Sequence, residues 1–112
     1  MLRDRLLQDR AGAPLQLRHL GVDIADAPLD AGLRPAPPVI SPSALYRSDA
    51  AVGVGTVGQA RAYISTNVKL GDFVLVLPMG GIAHDVTIGN FATCSSLCTI
   101  CGYSVLGEGV YV

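Results

Sequence analysis

Three groups of residues in this chain have types and spacings that could do chemistry. His84 and Asp85 lie together in Ile82-Ala83-His84-Asp85-Val86-Thr87. A carboxylate beside an imidazole orients the ring and raises its basicity, which a general base needs near neutral pH. Between Asp72 and Glu108 these two are the only acid or imidazole side chains. A lone histidine can equally be a solvated surface residue, and the residue types alone leave both readings open. Cys94-x3-Cys98-x2-Cys101 has the spacing of a radical S-adenosylmethionine cluster. Gly53-Val54-Gly55-Thr56-Val57-Gly58 spells Gly-x-Gly-x-x-Gly, which holds pyrophosphate when it joins a strand to a helix N-terminus.

Which of these survives depends on the elements that carry them, and a repeat decides that. Every sixth residue from Ile40 to Val112 is apolar, passing through Tyr46, Val52, Ile64, Leu70, Val76, Ile82, Ile88, Cys94, Ile100 and Leu106, with Gly58 the exception. Four places further into each hexad the residue is small or β-branched, from Ala44 to Val110. Val52-Gly53, Leu70-Gly71, Ile88-Gly89 and Leu106-Gly107 recur every three hexads. One hexad is then one flat side, and three sides close a triangular coil. The bulky residue points inward, the small one fills the corner, and glycine is expected to supply backbone conformations closed to other residues. Parallel ladders stack coils ~4.8 Å apart, so four coils make a prism ~20 Å tall.

The repeat sorts the three groups. His84 falls on neither inward position and should project outward. Cys94 and Cys98 occupy the two inward positions of one hexad, while Cys101 lies on the next side, so core packing is expected. The chain is also too short for the barrel that carries such clusters, and zinc would lack a fourth ligand nearby. After Gly58 the hexad continues through Gln59-Ala60-Arg61-Ala62-Tyr63-Ile64, so no helix is expected to receive a pyrophosphate.

The remaining composition narrows the class. At 112 residues, half of them hydrophobic and 15% charged, with a mean hydropathy of +0.44, the chain is one small globular domain rather than a disordered one. No apolar run is long enough to cross a bilayer, and the first ten residues lack the apolar core of a signal peptide. A net charge of −1 offers no electrostatic footprint for nucleic acid. Three cysteines fit a reducing, cytoplasmic compartment. Residues 1–39 hold five Arg, five Asp and five of the seven prolines, whereas 40–112 hold ten of the thirteen glycines. A boundary is expected near Arg34–Pro38. Before it, a short helix carries Leu2, Leu6 and Leu7, a strand covers 15–18, and His19 lies at the surface.

From Ile40 onward the chain resembles the sialic acid O-acetyltransferase NeuD-like group of bacterial sugar acetyltransferases. The matching stretches are Ile40-Ser41-Pro42-Ser43-Ala44, Val52-Gly53-Val54-Gly55-Thr56, and Ile82-Ala83-His84-Asp85-Val86-Thr87-Ile88-Gly89-Asn90-Phe91. The resemblance implies a mainly β fold, a left-handed parallel β-helix of about four coils over 40–112, preceded by a short α/β remnant of a nucleotide-sugar-binding domain over 1–39. It implies transfer of acetyl from acetyl-CoA to a hydroxyl or amino group of a sugar, often nucleotide-linked, in a homotrimer. No metal, nucleic acid or membrane is expected to take part. Carried over by position, His84 is the general base and Asp85 holds its tautomer. Gly102, one coil on, offers a backbone N–H to the thioester carbonyl. Thr93 stands where some relatives carry a second histidine that contacts CoA. Relatives often have Asn where this chain has Leu77-Pro78-Met79, and Pro78 is expected to disturb its side of the coil. Relatives also continue several coils beyond the position of Val112. The alternative reading is a truncated, inactive β-helix that serves as a trimerising structural module. A β-helix carbonic anhydrase would need three histidines, and the chain has two.

Overall fold

The computed structural model describes residues 34–112; the helix, strand and surface histidine expected before Arg34 lie outside them. The described chain is a parallel β-solenoid of four coils built from twelve two-residue strands. The first sheet is β1 (Val39–Ile40), β4 (Val57–Gly58), β7 (Leu75–Val76) and β10 (Thr93–Cys94). The second is β2 (Leu45–Tyr46), β5 (Tyr63–Ile64), β8 (Gly81–Ile82) and β11 (Thr99–Ile100). The third is β3 (Ala51–Val52), β6 (Lys69–Leu70), β9 (Thr87–Ile88) and β12 (Val105–Leu106). Each strand pairs in parallel with the one a full coil on, Val39 with Val57 and Lys69 with Thr87.

Register places like residues over like. Ile64 sits on Ile82 and Ile82 on Ile100, while Leu70 sits on Ile88. All five are buried, and Val68, Val74 and Val86 fill the corners beside them. Burial of one such side chain contributes about 1.5–3 kcal/mol. The one polar residue among the small inward positions of the second coil, Thr56, is satisfied. Its Oγ1 donates to the Gly71 carbonyl at 2.8 Å and accepts from the Val74 N–H at 3.0 Å. Tyr46 departs from the pattern, for it keeps 40% exposure at an inward position of the first coil, where its hydroxyl donates to the Ala50 carbonyl.

Two expectations about the corners are overturned. The residues at positive φ are mostly not glycine: Arg61, Asn67, Phe73, Met79, Asp85, Phe91, Leu97 and Tyr103 hold φ between 54° and 65°. This conformation turns five of these N–H groups to a carbonyl of the coil before, as in Met79 N–H to Ala60 at 3.0 Å and Phe91 N–H to Asp72 at 2.9 Å, while those of Arg61 and Asn67 reach side-chain oxygens of Ser43 and Asp49. The bonds offset the strain of holding a side chain there. Three of the four recurring glycines serve close approach instead. Gly53, Gly71 and Gly89 lie outside the left-handed region, but a Cβ on Gly53 would stand 2.4 Å from the Gly71 carbonyl oxygen. Pro78 disturbs nothing. It is the second residue of the turn Leu77–Gly80, whose third residue Met79 has φ 63° and whose closing Gly80 N–H reaches Leu77 at 3.0 Å. A turn with positive φ at its third residue favours Pro at its second. The ladder bond of this side comes from the Leu77 N–H, which reaches Cys94 at 2.9 Å.

Candidate active site

The chain turns from the second sheet to the third at 47–50, 65–68, 83–86 and 101–104, so these four turns stack along one corner. His84 and Asp85 are the two central residues of the third turn. Asp85 takes the left-handed conformation, which Asp and Asn tolerate because their short polar side chains bond locally. Its N–H reaches the Thr66 carbonyl of the coil before at 3.1 Å, and the His84 carbonyl accepts from the Tyr103 N–H of the coil after at 3.2 Å. The pair is therefore fastened by backbone on both sides while its side chains face outward.

The His84 side chain is 51% exposed and that of Asp85 27%. Nδ1 of His84 lies 2.9 Å from Oδ2 of Asp85. An ionised carboxylate can only accept, so Nδ1 carries the hydrogen, and in the neutral ring Nε2 is the nitrogen left with a free lone pair. The other carboxylate oxygen, Oδ1, accepts from Nδ2 of Asn67, one coil earlier. These bonds, Asn67 first and His84 second, hold the Asp85 carboxyl below its ordinary value, so it is the charged form that faces the imidazole.

The ring lies against Gly102. A Cβ there would stand 2.7 Å from Cε1 and 2.8 Å from Nε2, so only glycine leaves room for the imidazole in this position. The Gly102 N–H makes no hydrogen bond among the described residues. The corner thus brings together a proton-accepting nitrogen, a carboxylate that orients it and an unused backbone donor, a set with which acyl transfer to a hydroxyl or amine can be run.

No family model matches the chain, and no curated protein matches it. Among solved structures the chain is similar to the acetyltransferase domain of PglB from Neisseria gonorrhoeae in complex with acetyl coenzyme A, at 18% identity and a TM-score of 0.46. The match covers 75% of this chain and 57% of that one.

Thr93 is placed elsewhere. It lies on β10 in the first sheet, the side of the triangle opposite the His84 corner, with 1% exposure and, among the described residues, no partner for its Oγ1. The three cysteines separate as the hexad implies: Cys94 is buried, Cys98 half-buried and Cys101 exposed. Burial pushes the Cys94 thiol up to about 12, the behaviour of a core residue. Gly53–Gly58 runs into β4 and then another turn and strand, without the helix that a dinucleotide fingerprint needs. No helix of the described residues is long and apolar enough to cross a membrane.

Two neighbours of the site escape a reading based on local motifs. Asn67 bonds to Asp85 across 18 residues. Tyr103 meets the imidazole edge-on, with ring centroids 5.3 Å apart. The 18-residue register was the signal that finds both, since subtracting one coil from Asp85 gives Asn67 and adding one gives Tyr103.

Proposed function

We propose that the chain is an acetyltransferase domain that moves acetyl from acetyl-CoA to a hydroxyl or amino group of a sugar, nucleotide-linked in the favoured case. One observation carries this reading above the others: the Asp85 carboxylate on Nδ1 leaves His84 Nε2 free at an exposed corner, directly against the Gly102 backbone. The resemblance of Ile82–Phe91 to sugar acetyltransferases supports the choice of acyl donor and acceptor.

In this reading Nε2 takes the proton from the acceptor hydroxyl or amine as its oxygen or nitrogen attacks the thioester carbonyl carbon. The Gly102 N–H stabilises the oxyanion that develops, a donor worth roughly 3 kcal/mol in acyl transfer. Collapse of the tetrahedral species breaks the carbon–sulfur bond, and the imidazolium returns its proton to the departing thiolate of CoA. No acyl-enzyme forms, since holding the two reactants in line beside one base is enough. A contact between Thr93 and the coenzyme would have to come from another face of the prism, and this mechanism does not use it. The site is open on its outer side, where a neighbouring prism of a homotrimer would close a cleft.

The test is release of free CoA with a panel of nucleotide-linked amino sugars and hydroxyl acceptors. Turnover that disappears in His84→Ala supports the reading. A folded wild-type protein that neither binds acetyl-CoA nor releases CoA with any acceptor overturns it in favour of a structural, trimerising module.

A further inference from the structure

The residue in the left-handed place of this corner changes from coil to coil in a way the backbone does not require. Arg61, Phe73, Met79, Phe91 and Leu97 at the other corners, and Tyr103 two coils on at this one, hold a φ close to that of Asn67, so the conformation does not select asparagine. The side chain at 67 therefore needs another reason. Its column supplies one: Asp49, Asn67 and Asp85 follow at intervals of 18 residues, a carboxamide between two carboxylates. Only the middle member can donate.

Asn67 is itself held in place. Its backbone N–H donates to Asp49 Oδ2 at 3.2 Å, and the same oxygen accepts from the Thr66 hydroxyl. From that anchored position Nδ2 donates to Asp85 Oδ1, while Oδ2 of the same carboxylate accepts from His84 Nδ1 at 2.9 Å. An exposed aspartate in a turn has competitors for both oxygens, namely water and nearby backbone N–H groups. Occupying one oxygen from the coil before removes the rotations in which the other points away from the imidazole.

We propose that Asn67 is a positioning residue for the His84–Asp85 pair, fixing the Asp85 carboxylate so that His84 keeps its hydrogen on Nδ1 and presents Nε2 outward. The proposal rests on the acetyltransferase reading for its catalytic meaning, but its structural content is measurable without turnover. The decisive variant is Asn67→Asp, which keeps the size, the left-handed backbone and the bond from the residue 67 N–H to Asp49 but puts an acceptor where the donor was. Asn67→Gly is the second, should the added charge prevent folding.

The readouts on the full chain are the 15N shifts of the His84 ring nitrogens and the titration of the Asp85 carboxyl. In wild type the Nδ1–H form should dominate. In both variants it should give way to a mixture with the Nε2–H form, and the Asp85 carboxyl should titrate nearer its ordinary value. With an accepted acceptor, kcat should fall about tenfold with KM for acetyl-CoA unchanged, a part of the roughly 10²–10⁴ that general-base catalysis supplies. Wild-type tautomer and titration in both folded variants would overturn the proposal, whether or not the protein transfers acetyl. A shifted tautomer in a protein that acylates no acceptor would uphold the role of Asn67 and refute the proposed reaction instead.

Discussion

Two corners of the same prism are built from the same turn and put to different uses. Where the third sheet turns into the first, at 53–56, 71–74, 89–92 and 107–110, the outward polar side chains bond to backbone. Asn90 Oδ1 accepts from the Asp72 N–H at 2.8 Å, and Asp72 Oδ1 accepts from the Val54 N–H at 3.1 Å. Beside them Phe73 and Phe91 stack with ring centroids 5.6 Å apart and planes 4° from parallel. That corner spends its polar side chains on its own coil-to-coil contacts. At the His84 corner, among the described residues, only Asp49 bonds to backbone of the next coil, and the Asp85 carboxylate is bound by side chains alone. The free nitrogen of His84 and the N–H of Gly102 remain uncommitted. A solenoid corner becomes a site when its polar groups are oriented without being used up.

That contrast can be broken by exchanging what each corner loses. The largest effect is expected for His84→Ala, with acetyl transfer lower by roughly 10²–10⁴ and the thermal midpoint unchanged, since the side chain carries no packing of the core. Turnover and melting measured on the same preparation check both halves. Next come the glycines. In Gly71→Ala the new Cβ meets Asn90 Oδ1 at 2.3 Å and the Asn90 backbone nitrogen at 2.8 Å, so urea unfolding should show a loss of about 1–3 kcal/mol. In Gly102→Ala the three nearest atoms are all of the His84 ring, a side chain at the surface rather than backbone, so stability should hold while acetyl transfer drops as the ring is pushed off its seat. Smaller again is Asn90→Ala, which strips the acceptor from the Asp72 N–H and should cost about 0.5–1.5 kcal/mol without touching turnover.

Acid should sharpen the comparison further. The Thr66 hydroxyl holds the Asp49 carboxyl below its ordinary value, and Asn67 and then His84 do the same for Asp85. Both groups are charged in the folded state at pH values where the unfolded chain is already taking up protons. Their stabilisation is therefore present above the ordinary aspartate value of about 3.9 and is lost as pH falls through the lower folded values. Melting curves between pH 6 and pH 3 should show a fall in wild type at the acid end that is shallower in Asn67→Gly. The smallest expected effect concerns the thiols. A maleimide should modify exposed Cys101 first and leave Cys94 unmodified until the protein unfolds, which peptide mapping of partly labelled protein would show.

The period was legible because the interior of a three-sided coil admits one large and one small side chain per side and tolerates no slip. Ile64, Ile82 and Ile100 could be placed in a column from spacing alone, and His84 could be placed outside it. Pro78 and the glycines were misjudged for a related reason. Hexad phase says which way a residue points but not which backbone groups its turn already uses, so a proline that loses no bond looked disruptive. Gly53, Gly71 and Gly89, which open three of the corners after the third sheet, looked like conformational devices, whereas the next coil approaches there too closely for a Cβ. Asn67 was missed because its partner lies a full coil away and neither residue belongs to a local motif.

The chain by itself determined which side chains form the inward column from the second coil on, because period six is written in its apolar residues and needs no contact to be read. What the tertiary structure alone decided is which outward groups meet. Stacking of the coils puts Asn67, Asp85, His84 and Gly102 within bonding or van der Waals reach although they span 36 positions of sequence. The direction of a hydrogen bond, the occupied nitrogen of an imidazole and the vacancy of one N–H follow from that juxtaposition and from nothing shorter in range.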